Sequence, residues 1–260
     1  MIRAGIGGWN FPEWRGTFYP KGHPQSQELS YASRALTSIE INGTFYRTPS
    51  AETFAKWAAE VPEGFQFSVK GPMSVVGKGV LAETGPALEK FFASGVLGMG
   101  EKLGPLFWQF MPAKKFDAKD VERFFKLLPK ELKGRKLRHA VEARHATFGV
   151  PEFVELARAY QVAVVLVDSE KHTLIADPTS DFVYLRLQRT QEKVATGYKP
   201  ADIKTWAARA KVWDAGGVPD APPLLAKKPA KSKRDVFVYF ISGAKVRAPA
   251  AAQAFIKELG

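Results

Sequence analysis

The chain has 260 residues, with 38 Lys and Arg against 26 Asp and Glu, a formal charge of +12 and no cysteine. Its length suits one α/β barrel of about 250 residues as readily as two small domains, and the lack of thiols excludes disulfides and thiolate metal sites and gives no sign of secretion. The longest aliphatic run, Val162 to Val167, falls far short of the roughly 20 residues of a membrane span, and the charge excess suits polyanionic partners or plain solubility.

The first segment, Ile2 to Trp9, already reads as a strand ending in glycines, so a cytoplasmic protein without a leader is expected. Further strand-like segments follow at Ser38 to Tyr46, Phe65 to Lys70, Pro105 to Phe110, His139 to Arg144, Val162 to Asp168, Phe182 to Gln188 and Val236 to Ile241. Helical patterns lie between them at Leu29 to Leu36, Ser50 to Glu60, Pro86 to Leu97, Asp117 to Leu128, Pro151 to Tyr160 and Ala201 to Trp213, and Pro249 to Leu259 closes the chain. Thr48 before Pro49, and Asp117 ahead of Val121, Phe124 and Phe125, read as helix starts, while Pro151 and Pro249 suit first-turn positions. Only the connection Ser169 to Asp181 lacks a helical pattern. Strand and helix alternating in this way predict a single TIM-type (β/α)8 barrel over residues 1–260. The chain shows no boundary and no internal repeat.

Within the strands, residue parity separates two faces. Phe67 and Val69 oppose Ser68 and Lys70, Val141 and Ala143 oppose Glu142 and Arg144, and Leu185 and Leu187 oppose Tyr184, Arg186 and Gln188. In Ser38 to Tyr46, Ile39 and Ile41 oppose Glu40 and Asn42. An apolar face packs on helices, so the polar face is assigned to the lumen, whose C-terminal end is where barrel enzymes build their sites. The predicted lumen and mouth hold Glu40, Asn42, Ser68, Lys70, Gln109, Glu142, Arg144, Asp168, Arg186, Gln188 and Tyr239. Arg47, His145 and Arg189 lie just beyond the strand ends and would make the rim cationic, which suits an anionic ligand. The competing reading is a self-neutralising set of ion pairs.

Two stretches stand apart. The connection Trp9 to Pro24 carries Trp9, Phe11, Trp14, Phe18 and Tyr19, either as a lid or platform at the mouth or as a satellite core beneath a long loop. Residues 216–234 turn Pro- and Lys-rich, ending in the run Lys227 to Arg234, and read as a flexible basic insertion, solvated or polyanion-binding. The four histidines, His23, His139, His145 and His172, show no ligand spacing, and no nucleophile-elbow, Walker or dinucleotide motif is present. His139 is assigned to the helix side or a strand entrance, and His172 to a loop.

Gly5-Ile6-Gly7-Gly8-Trp9, Trp14, Phe18-Tyr19-Pro20, Glu40-Ile41-Asn42 with Thr44-Phe45-Tyr46-Arg47, Phe65 to Lys70, Leu103-Gly104-Pro105 with Gln109, Glu142 with Arg144-His145, Asp168 and Tyr184 to Leu187 occur in an order that resembles the YecE-like family, domain of unknown function 72. The resemblance spans nearly the whole chain and implies a TIM barrel, with no secure activity attached. It also marks departures: where the family pattern implies a histidine after the third strand, His-Gly after the seventh and Asn-Asn after the eighth, this chain has Gly77, Gln188-Arg189 and Ile241-Ser242.

Three readings follow. The first is an enzyme without metal or cofactor, a general acid/base hydrolase or lyase acting on an anionic or polyhydroxylated small molecule. Its candidate catalytic carboxylates are Glu40, Glu142 and Asp168, and Trp9, Asn42, Tyr46, Arg47, Lys70, Gln109, Arg144, His145, Arg186 and Gln188 are the candidate binding residues. The second is a nucleic-acid binder using the basic insertion and the aromatic first loop. The third is a non-catalytic barrel whose lumen charges are locked in pairs. No membrane partner is expected, and the oligomeric state is open.

Overall fold

A computed structural model describes residues 1–77 and 79–260. Eight barrel strands occur in chain order: β1 (Ile2–Gly7), β2 (Ser38–Ile41), β3 (Gln66–Lys70), β4 (Leu103–Gln109), β5 (His139–Glu142), β6 in two pieces (Ala163–Val164 and Leu166–Asp168), β7 (Phe182–Leu187) and β8 (Asp235–Phe240). Counting the two pieces separately gives one sheet of nine parallel segments, with the pieces of β6 at its two ends. Val165 joins them and donates its N–H to the Val141 carbonyl of β5 at 2.9 Å. The sheet thus curls round until both ends meet in one strand, a TIM-like closure that leaves almost no sheet edge open.

The helices are α1 (Glu28–Ala35), α2 (Ala51–Glu60), α3 (Met73–Val76), α4 (Gly85–Ala93), α5 (Ala118–Leu127), α6 (Pro151–Tyr160), α7 (Pro200–Asp214) and α8 (Ala248–Leu259). The Asp117 carboxylate accepts the Asp120 N–H at 3.0 Å and starts α5, and Val121, Phe124 and Phe125 then share its buried face at i, i+3 and i+4 spacing. At α2 the cap is Ser50 rather than Thr48, its hydroxyl accepting the Thr53 N–H at 3.3 Å. The span between β6 and β7 contains no helix, as its sequence indicates.

The apolar interior has two parts. Strand residues such as Ile39, Ile41, Phe67, Val69, Trp108, Val141, Leu185 and Leu187 join the helices in the outer layer. A smaller cluster fills the lumen: Phe107, Ala140, Ala163, Val165, Val167, Phe182, Tyr184, Phe237 and Tyr239. Close approach of β1 and β2 depends on Gly5, where a Cβ would fall 1.7 Å from the Ser38 carbonyl oxygen. His139 lies on the helix side, accepting the Trp108 Nε1 proton at Nδ1 (3.1 Å); its own ring proton is therefore on Nε2, 2.8 Å from the Pro129 carbonyl.

After β1 the aromatic connection is a satellite core. Trp14 is fully buried and donates Nε1–H to the Lys245 carbonyl at 2.9 Å, while Phe18 and Tyr19 pack on Tyr31 of α1. Before β8, the basic stretch is tied to the opposite, N-terminal end of the barrel. The Leu225 and Ala226 N–H groups donate to the Asp177 carboxylate at 2.9 and 3.0 Å, and Arg158 donates to the Lys227 carbonyl at 2.8 Å. Arg234 is buried on the Gly216, Gly217 and Ala230 carbonyls, leaving Lys227, Lys228, Lys231 and Lys233 exposed. Among the described residues no helix is long and apolar enough to cross a membrane.

Candidate functional site at the barrel mouth

Alternation along β2, β5 and β7 delivers Glu40, Glu142 and Arg186 to the upper lumen, all buried. Arg186 is the hub. Its Nε and Nη2 donate to the two oxygens of Glu40, each at 3.1 Å, its Nη1 donates to Glu142 Oε2, and its guanidinium lies 4.8 Å from the centre of the Phe107 ring. This forked pairing satisfies two carboxylates with one planar cation. Tyr184 completes the shell, donating to Glu40 Oε2 at 2.6 Å while its hydroxyl lies 2.8 Å from Ser68 Oγ; one layer across, Ser38 Oγ and the Tyr239 hydroxyl are 2.7 Å apart.

Glu142 is held by three hydrogen bonds as well. Gln109 Nε2 and Arg144 Nε donate to its Oε1 at 2.9 and 2.6 Å, besides the Arg186 bond to Oε2. Burial alone would raise its pKa, but the Arg186 and Arg144 cations outweigh that and hold the carboxyl down at about 2. Two fixed cations keep this carboxylate ionised, with three of its roughly four acceptor positions filled.

Lys70, 8% exposed at the end of β3, differs in kind. Its ammonium donates to Gln109 Oε1 at 2.8 Å and stands 4.1 Å from the centre of the Phe45 ring. Desolvation is the largest influence on it, and the Arg186 and Arg144 charges oppose the help of Glu40 and Glu142; together they lower its pKa to about 8. Arg144 spends only its Nε on Glu142 among the described residues, so its outer N–H groups remain uncommitted. Around this centre three cations, Lys70, Arg144 and Arg186, face two carboxylates, Glu40 and Glu142, an excess of one positive charge.

Other predicted residues lie elsewhere. Asp168 is not in the lumen: Ala163, Val165 and Val167 take the inward positions of β6, so the even-numbered Asp168 points outward with Leu166. There it accepts from the Tyr198 hydroxyl at 3.1 Å and lies 3.7 Å from Arg189, and burial raises its pKa despite both. Trp9 is also turned outward, edge-on to Trp57 at 5.1 Å and near Phe67 at 6.3 Å. Asn42 sits at the lip with Nδ2 3.3 Å from the Glu40 carbonyl. Gln188 is half-buried beside β6, its N–H on the Asp168 carbonyl at 3.1 Å. His145 uses Nδ1 to cap the turn at Thr147. Tyr46 is 83% exposed and Arg47 is exposed at the rim.

Three participants carry no strong sequence signal. Phe45 and Phe107 look like ordinary apolar residues, yet each presents a ring face to a lumen cation. His172, from the helix-free connection, comes beside the Arg144 backbone; desolvation, then the Arg144 charge, hold its pKa below the ordinary histidine value.

Comparison with known proteins agrees with this architecture. A solved DUF72 family protein of Thermotoga maritima superposes with a TM-score of 0.74 at 23% identity, covering 100% of this chain and 99% of that one. One from Enterococcus faecalis gives 0.70 at 16% identity, covering 100% and 95%. At these identities the likeness concerns the fold. The UPF0759 protein YunF of Bacillus subtilis (strain 168) is 31% identical over 77 residues, a match that spans 30% of this chain and only 26% of YunF. The profile of the protein family of unknown function DUF72 matches residues 3–260, and the chain belongs to that family.

Proposed function

We propose that the barrel mouth binds a small anionic molecule, with Lys70 and Arg144 as the groups that hold its charge and the Glu40–Arg186–Glu142 assembly as their rigid support. The observation that carries this is Lys70: a desolvated ammonium with three N–H donors and, among the described residues, one acceptor, the neutral Gln109. Such a cation gains most from an incoming anion, since the pair forms away from bulk water. If the bound molecule is turned over, Lys70 is the group whose proton moves near neutral pH, because its pKa is about 8 whereas Glu142 stays ionised down to about 2. Glu40 and Glu142 are then positioning residues rather than acid and base. The test is thermal shift across inorganic phosphate, pyrophosphate, small carboxylates and neutral polyols, on wild type and on Lys70→Met and Arg144→Ala. The reading expects anions to stabilise wild type and to lose at least tenfold in apparent affinity in each variant; stabilisation by polyols alone, or anion shifts equal in all three proteins, overturns it.

A second reading rests on the four exposed lysines between Lys227 and Lys233. They project from the end of the barrel opposite the mouth, so any phosphodiester contact there is independent of the aromatic loop after β1. Four such contacts give a log-log salt slope of about −3 to −4, and a slope unchanged when the four lysines become Ser removes this segment from nucleic-acid binding.

A further inference from the structure

Resting on the reading of Lys70 as an anion anchor, we infer that the ligand is amphipathic, an anionic group attached to a flat apolar body, and that the body lies in a cleft beside the mouth. This cleft, about 510 Å³, has Phe45, Tyr46, Met73, Phe91 and Met111 in its lining together with Lys90. Its volume falls in the range of small-molecule sites, as does its makeup of aromatic and thioether walls with few polar groups. Phe45 joins the two regions. One face of its ring carries the Lys70 ammonium at 4.1 Å, and the same residue forms a wall of the cleft, so anchor and apolar cleft are separated by the width of one side chain.

The exposure pattern points the same way. Of the seven large apolar side chains exposed among the described residues, three border this one cleft: Tyr46 at 83%, Met73 at 46% and Met111 at 37%. Tyr46 stands edge-on to Phe45 at 5.1 Å, where it can fold over a ring placed on its neighbour. Gly77 also lines the cleft, and a Cβ there would fall 2.6 Å from the Met73 carbonyl oxygen. A side chain at position 77 would therefore require α3 to shift.

The test is a ligand series on wild-type protein, read by calorimetry: inorganic phosphate, phenyl phosphate, 1-naphthyl phosphate and 1-naphthol. The inference expects affinity to rise at least tenfold from inorganic phosphate to 1-naphthyl phosphate, with 1-naphthol alone too weak to measure. Ala87→Phe, which fills the cleft from α4, is expected to erase the gain and leave inorganic phosphate binding as in wild type; Lys70→Met is expected to weaken every phosphate. If the phosphates bind equally well, or the naphthyl gain persists in Ala87→Phe, the cleft inference is wrong while the anion anchor stands. If none of the phosphates binds wild type, the anchor itself is wrong. Because the wild-type series decides the first point unaided, a poorly folding Ala87→Phe protein does not shield the inference.

Discussion

Glu142→Gln removes one charge from the centre of the lumen with almost no change of shape. In the folded protein the carboxyl is held at about 2 against an ordinary 4.5, a difference of about 2.5 units, and at 1.36 kcal/mol per unit this corresponds to about 3 kcal/mol of stability. The sign is that of a depressed acid: the contribution is complete above the unfolded value of 4.5 and is lost as pH falls through the range towards 2. An amide in its place also turns an N–H group towards Arg186 or Arg144, so the cost at neutral pH is expected at about 3 kcal/mol or somewhat more. Urea unfolding of wild type and variant at intervals from pH 3 to 7 reads this directly. The difference between the two should be flat above pH 5 and shrink steadily below it. A difference under about 1 kcal/mol at pH 7, or one that is the same at pH 3 and pH 7, refutes the claim that buried cations hold Glu142 ionised.

Two further outcomes follow from the packing. His139 is buried with its pKa lowered to about 4 from 6.5, so wild type should lose about 3 kcal/mol as pH falls from 6.5 to 4. His139→Phe should lose that pH dependence while costing stability at pH 7, because the Trp108 N–H is left without its acceptor; an unchanged pH profile contradicts the assignment. Gly5→Ala would drive a Cβ into the Ser38 carbonyl at 1.7 Å, and the barrel should fail to accumulate as soluble protein; a variant within about 1 kcal/mol of wild type would mean that β1 and β2 are not so closely apposed.

How much of this was legible beforehand depends on whether a strand alternates. β2, β5 and β7 carry charged residues between apolar ones, so period-2 parity alone sends Glu40, Glu142 and Arg186 to the lumen, where they meet. The segment Val162 to Val167 is aliphatic throughout, so parity carries no information there, and the outward position of Asp168 differs from the lumen expected for it. The aromatic loop after β1 gave two readings from sequence, and burial of Trp14 and Tyr19 selects the satellite core. Phe45 over Lys70 and His172 beside Arg144 depend on where connections settle after the barrel closes, which local pattern does not encode. Roles shifted for a related reason. A carboxylate and an arginine on lumen faces announce an ion pair or a catalyst equally well, and only the count of hydrogen bonds on each oxygen distinguishes them.

Lys70 can be observed on its own by carbon NMR of lysines labelled at the ε position, with Lys70→Met identifying its resonance. In buffer without oxyanions the signal should titrate with a midpoint near 8, as desolvation beside Arg186 and Arg144 requires. Added phosphate, by pairing with the ammonium, should move that midpoint upward. A midpoint that stays where it was as phosphate is raised would contradict the anion site at the centre of this account.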